Sequence, residues 1–146
     1  MKLLFDTNVI FSAFATHGLA DSIFEYCLQQ HAIVLSDHIL GELEKSFLKK
    51  LKMPQDKIQA ILSFLKEFCL IADLKKLKRN VCRDHEDDKI LGLALNAGAD
   101  FIITGDKELL GLKKFESIAI LTPREFWEIA RNNKNSQNCL KEASEN

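Results

Sequence analysis

A chain of 146 residues has the length of one domain able to bury roughly 68–70% of its unfolded surface. Its 20 Lys and Arg nearly offset 21 Asp and Glu for a net charge of −1, which excludes a wholesale basic nucleic-acid coat but leaves room for a local basic rim. No apolar run approaches the roughly 18 residues of a membrane span, and the first residues enter a strand-like segment without a leader-like apolar region.

The four cysteines, Cys27, Cys69, Cys82 and Cys139, show neither Cys-x-x-Cys pairing nor zinc-finger spacing to histidine. Cys27 and Cys69 fall among apolar helix positions and read as reduced, buried thiols, which suits a cytoplasmic protein.

In chain order, Leu3, Leu4 and Phe5 form a short buried strand ending at Asp6. Val9, Ile10, Ala13 and Phe14 then give a short helical stripe that stops near His17 and Gly18. A second helix is expected from about Leu19 to Gln30, followed by a buried strand over Ala32, Ile33, Val34 and Leu35. Ser36 caps a third helix with Ile39, Leu43 and Phe47 on its apolar face. Pro54 opens a fourth, read as the longest amphipathic helix, with Ile58, Ile61, Leu62, Leu65, Phe68 and Cys69 as its stripe. The two pair as a helical hairpin from Ser36 to about Ile71.

A variable stretch from Lys75 to Arg79 leads to a strand candidate around Val81. Asp84 to Ala97 reads as a helix ended by Gly98, and Phe101 to Thr104 as the next strand. Ile118 to Leu121 is another strand, after which Thr122 and Pro123 cap and open a last helix. Residues 1–131 thus form one domain, and the polar run over 132–146 reads as a disordered tail.

Two of these strands end in a carboxylate, Asp6 and Asp106. Open parallel sheets place their crevice at the carboxyl ends of strands, so the two acids are expected to meet, and like charges that meet call for a cation. In the helix after Asp84, the 100° rotation per residue puts Asp87, Ile90, Leu91, Ala94 and Gly98 on one face and turns Asp88 towards solvent. A simpler role for Asp87 is to complement the helix dipole in the first turn. Glu42 lies off the centre of its helix stripe, and Glu44 lies closer, so periodicity alone makes Glu42 a surface acid.

Asp6-Thr7-Asn8-Val9, Ser36 followed six residues later by Glu42, Asp84-x-x-Asp87 with Ala94 and Gly98 downstream, and Thr104-Gly105-Asp106 together resemble the PIN-domain nucleases. The nearest likeness is to the VapC-like toxins of toxin–antitoxin pairs. The resemblance implies a three-layer α/β/α fold with a mostly parallel central sheet. It also implies a metal pocket lined by four acids, Asp6, Glu42, Asp87 and Asp106, with Asn8 and Thr104 orienting carboxylates or water. Where the family commonly reads Asp-Pro-Asp-Asp-Asn-Lys, this chain has Asp84-His85-Glu86-Asp87-Asp88-Lys89, which leaves Asp88 as an alternative or additional site acid. Asp84 and Glu108 are further supporting candidates.

An all-carboxylate set suits a hard cation, Mg²⁺ or Mn²⁺, able to activate water for phosphodiester hydrolysis without a protein nucleophile. The resemblance further implies single-stranded or loop RNA as substrate, products with a 5′-phosphate and a 3′-hydroxyl, a cognate antitoxin and a homodimer. Lys45, Lys49, Lys50 and Lys107 are candidate backbone contacts, and Lys75, Lys76, Lys78 and Arg79 are no more specific. Two readings compete: an RNA-processing nuclease of the same fold without an antitoxin, and a catalytically silent interaction module. A phospho-acceptor domain fits the order of the acids poorly.

Overall fold

The computed structural model describes residues 1–133. The chain runs β1 (Lys2–Phe5), α1 (Thr7–Ala15), α2 (Leu19–Gln30), β2 (Ala32–Leu35), α3 (Asp37–Leu51), α4 (Gln55–Phe68), β3 (Leu70–Ile71) and α5 (His85–Ala97). It continues through β4 (Phe101–Ile103), α6 (Lys107–Leu112), β5 (Lys114–Phe115) and β6 (Ile118–Leu121). A further helix, α7, covers residues 123–133 of the described chain.

Six strands form one sheet in the order β3-β2-β1-β4-β6-β5. All neighbours are parallel except the β5–β6 hairpin at the edge. Leu3, Leu4 and Phe5 in β1 and Val34 and Leu35 in β2 are all fully buried. Alternate residues point to opposite faces, so consecutive burial requires helices on both sides, the three-layer α/β/α arrangement.

Local signals explain most boundaries. Ser36 accepts a hydrogen bond from the Ile39 N–H at 3.2 Å as the N-cap of α3. Thr122 and Glu125 form a reciprocal capping box that starts α7. Gly98, at φ 68°, ends α5 in the left-handed conformation. An aromatic cluster fastens α1 and its neighbours over β1: Phe5 meets Phe24 edge-on at 5.7 Å, and Phe11 stacks on Phe47 at 5.6 Å. Glu44 accepts hydrogen bonds from Gln55 and Gln59, tying the α3–α4 hairpin together.

Several expectations differ from the fold. Val81 belongs to no strand, because its N–H donates to the Asp88 carboxylate rather than to a ladder. The fourth helix stops at Phe68, where Leu70 and Ile71 turn to pair with β2 as an edge strand. At 14 residues it is shorter than the 15-residue α3, so it is not the longest amphipathic helix. The two-residue strands β3 and β5 and the short α6 carry too few residues to show a period. Of the expected polar tail, residues 134–146, with Cys139, lie outside the described residues.

Candidate active site

The parallel register brings the ends of β1 and β4 side by side, with Phe5 opposite Ile103 and the Asp6 N–H donating to the Ile103 carbonyl at 3.0 Å. Asp6 is the N-cap of α1, and Asp106 is the N-cap of α6, its Oδ1 accepting from the Glu108 and Leu109 N–H groups. Thr104, fully buried between them, donates from Oγ1 to Asp6 Oδ2 at 2.8 Å and accepts from the Asp106 N–H at 3.0 Å. One hydroxyl thus orients the Asp6 carboxylate and, through a turn contact two residues on, holds the Asp106 backbone. Burial pushes the Asp6 carboxyl above its usual range; the Thr104 hydroxyl and the Thr7 backbone pull it down, and Asp106 and Glu42 push it up again.

Asp87 enters from the first turn of α5, only 7% exposed. No hydrogen bond or ion pair from the described residues reaches its carboxylate. Desolvation, followed by the charges of Asp106, Asp84, Glu108 and Asp6, pushes its pKa up to about 7. A largely buried carboxylate with four acids around it, no protein donor and only residual contact with solvent favours a proton or a cation. A hard cation with oxygen ligands fits this donor set.

Asp88 resolves differently. Its carboxylate accepts from the Val81 N–H at 3.2 Å and from the Cys82 N–H at 2.8 Å, which anchors the preceding loop. Its carboxylate faces that loop while Asp87 faces the other acids, in keeping with the angular step between adjacent helical residues. Asp84 caps α5 by accepting from the Glu86 N–H, and Glu108 accepts from the Arg83 N–H while lying beside Asp87 and the Cys82 thiol.

Glu42 is held at the edge of this group. Its Oε2 accepts from the Thr7 hydroxyl at 2.8 Å, and its Oε1 lies 2.7 Å from His38 Nε2. The same nitrogen lies 2.7 Å from Glu86, whose other oxygen pairs with Lys89 at 2.9 Å. Hydrogen bonds from Lys89 and His38 hold the Glu86 carboxyl down at about 2. Glu42 faces Asp6 closely enough to raise its pKa, yet its carboxylate is engaged elsewhere. Asn8 is exposed and lines a cavity of about 300 Å³ with Glu42, Lys45, Lys49 and Lys50. Lys107 is exposed at the start of α6.

Motif and periodicity do not single out Thr7, His38, Glu86 or Cys82 as members of this group. For His38 a signal exists: it precedes Glu42 by four residues, one helical turn on the same face. Glu86 and Cys82 join the group only through the packing of α5 against its neighbours.

A family model described as PIN domain matches residues 2–108, and the chain belongs to the PIN-domain family. An uncharacterized protein of Methanocaldococcus jannaschii is 31% identical over 141 residues, covering 88% of this chain and 90% of that protein. Three solved structures share the fold. VapBC2 from Rickettsia felis bound to a DNA fragment from its promoter matches with a TM-score of 0.57 and 15% identity over 82% of this chain and 97% of the other. The Mycobacterium tuberculosis toxin VapC20, which cleaves the sarcin–ricin loop, matches with 0.54 and 10% over 80% and 98%. FitAcB from Neisseria gonorrhoeae matches with 0.51 and 16% over 83% and 97%.

Proposed function

We propose that the protein is a divalent-metal-dependent endoribonuclease, the toxin of a toxin–antitoxin pair. The observation that carries this reading is Asp87: buried, without a hydrogen-bond donor, and set against Asp6, Asp106, Asp84 and Glu108 at the carboxyl end of a parallel sheet. Membership of the PIN-domain family supports nuclease chemistry, and the fold shared with VapC20 and VapBC2 supports RNA as substrate and an antitoxin as partner. A homodimer and a cytoplasmic location belong to the same proposal. No helix among the described residues is long and apolar enough to cross a membrane.

Asp6, Asp87 and Asp106 would hold Mg²⁺ or Mn²⁺, with Glu42 as a fourth ligand once it leaves His38. The bound ion supplies an activated water and a Lewis acid for the phosphodiester. The remaining tasks fall to the protein. Thr104 occupies one oxygen of Asp6 and so aims the other into the crevice. The backbone N–H groups of Glu108 and Leu109 hold one oxygen of Asp106 in the same way. Such orientation of ligands by fixed donors sets both affinity and geometry at a metal. Asn8 and the Lys45, Lys49 and Lys50 rim stand where an anionic backbone would pass.

Asp6→Asn tests the assignment. The purified variant is expected to keep the wild-type circular dichroism spectrum and lose Mn²⁺-dependent cleavage of single-stranded RNA by at least about 10²-fold, given the several kcal/mol a metal contributes to such a transition state. Cleavage at the wild-type rate would overturn it.

A further inference from the structure

Residues 72–84, between β3 and α5, form neither helix nor strand, yet α5 holds them at three successive turns. Asn96 Nδ2 donates to the Asp73 carbonyl at 2.8 Å. Gly92 lies beneath Lys75 so closely that a Cβ there would sit 2.0 Å from the Lys75 carbonyl oxygen. Asp88 accepts from Val81 and Cys82. Positions 88, 92 and 96 recur every four residues on one face of α5, and the loop meets them in reverse order. The segment is therefore a strap laid antiparallel along about 12 Å of the helix.

The strap carries Lys75, Lys76, Lys78 and Arg79, and none of the four forms an ion pair among the described residues. All four are exposed to solvent, where water and salt screen their mutual repulsion and leave each free to take an anion. Two cavities flank the strap. One, of about 360 Å³, is bounded by Lys75, Lys76, Asn80, His85, Lys89 and one acid, Asp88. The other, of about 530 Å³, has an apolar floor of Leu77, Val81, Leu95 and Phe115, with Lys78 and Arg79 above it and one acid, Glu116, at its rim. That volume lies within the range of small-ligand sites.

We propose that the strap and the cavity beneath it form a nucleotide subsite for single-stranded RNA, with the cations taking backbone phosphates and the Phe115 floor taking an unpaired base. Cations over an aromatic floor match the two chemical faces of a nucleotide. An acidic peptide would satisfy the cations and leave the floor empty. The inference rests on the ribonuclease reading, and its test does not use cleavage.

Binding of a short fluorescein-labelled single-stranded RNA of mixed sequence is measured by anisotropy in EDTA across a salt series. The wild type is compared with the quadruple variant Lys75→Gln/Lys76→Gln/Lys78→Gln/Arg79→Gln, Phe115→Ala and Gly92→Ala. In the quadruple variant the slope of log K against log salt should fall by about 0.7 for each backbone phosphate the protein no longer neutralises. Phe115→Ala should weaken binding roughly 5- to 150-fold, the range for losing a stacked aromatic, with little change in slope. Gly92→Ala should weaken binding without altering any charge. A quadruple variant that keeps its wild-type melting temperature, affinity and slope would overturn the subsite. So would loss of binding to a polyglutamate peptide with RNA binding intact, which would mark the strap as a protein-docking patch. Absence of cleavage by wild-type protein would count against the ribonuclease reading alone.

Discussion

Replacing Asp87 by Asn should make the metal-free protein more stable while removing its activity. Asp87 is neutralised by a proton up to about pH 7 in the fold, against 3.8 for an ordinary aspartate. The folded state therefore binds more protons than the unfolded state between those values, and stability falls as pH rises through that window. At 1.36 kcal/mol per unit, the full penalty above pH 7 is about 4 kcal/mol. An Asn in the same place carries no charge but leaves its amide short of partners, at about 1–3 kcal/mol. The net gain at pH 8 in EDTA is thus about 1–3 kcal/mol, or about 2–4 °C in Tm for each kcal/mol at this size. By pH 4 the gain should be gone, because wild-type Asp87 is then protonated in the fold and about 40% protonated in the unfolded chain, which leaves a penalty of only about 0.6 kcal/mol, less than the cost of the Asn amide. Adding Mn²⁺ should reverse the order, since an ion at 100 times its Kd stabilises the wild type by about 2.7 kcal/mol and the variant far less. Thermal unfolding at the two pH values, with and without Mn²⁺, decides the matter. A variant that melts below wild type at pH 8 in EDTA would show that the carboxylate is paired or solvated, and would refute the buried, unpartnered state assigned to it.

Thr104→Val should leave the strand buried but release Asp6 and Asp106 together, cutting Mn²⁺-induced stabilisation at least about tenfold in apparent affinity, as seen by calorimetric titration. Asp88→Ala should lower stability by about 1–3 kcal/mol in chemical denaturation by freeing the Val81 and Cys82 N–H groups, with the Mn²⁺ shift of the melting curve retained. Loss of that shift would return Asp88 to the metal site. Burial pushes the Cys27 and Cys82 thiols up to about 12 and the Cys69 thiol to about 11, so all three should resist a thiol reagent at pH 8 until denaturant is added. Reaction of any of the three at the rate of a free thiol would contradict their burial.

Much of this architecture is visible in local chemistry. The runs Leu3-Leu4-Phe5 and Ala32-Ile33-Val34-Leu35 name two buried strands because unbroken apolar runs of that length suit a sheet covered on both faces. Ser36, Thr122 and Gly98 mark helix ends because the unsatisfied groups there need a hydroxyl or a left-handed residue nearby in sequence. The helical step also separates Asp87 from Asp88. What pairing distant segments decides lies beyond such signals. Two-residue strands such as β3 and β5 exist only because a neighbour offers its edge. The attachment of Glu42 to Thr7 depends on α1 packing beside α3, and the crowding of Asp87 by Asp106 and Asp6 depends on α5 lying near the ends of β1 and β4. Desolvation and the field of charges distant in sequence are properties of the packed chain, so the sequence alone names the acids and only the fold assigns them their electrostatic roles.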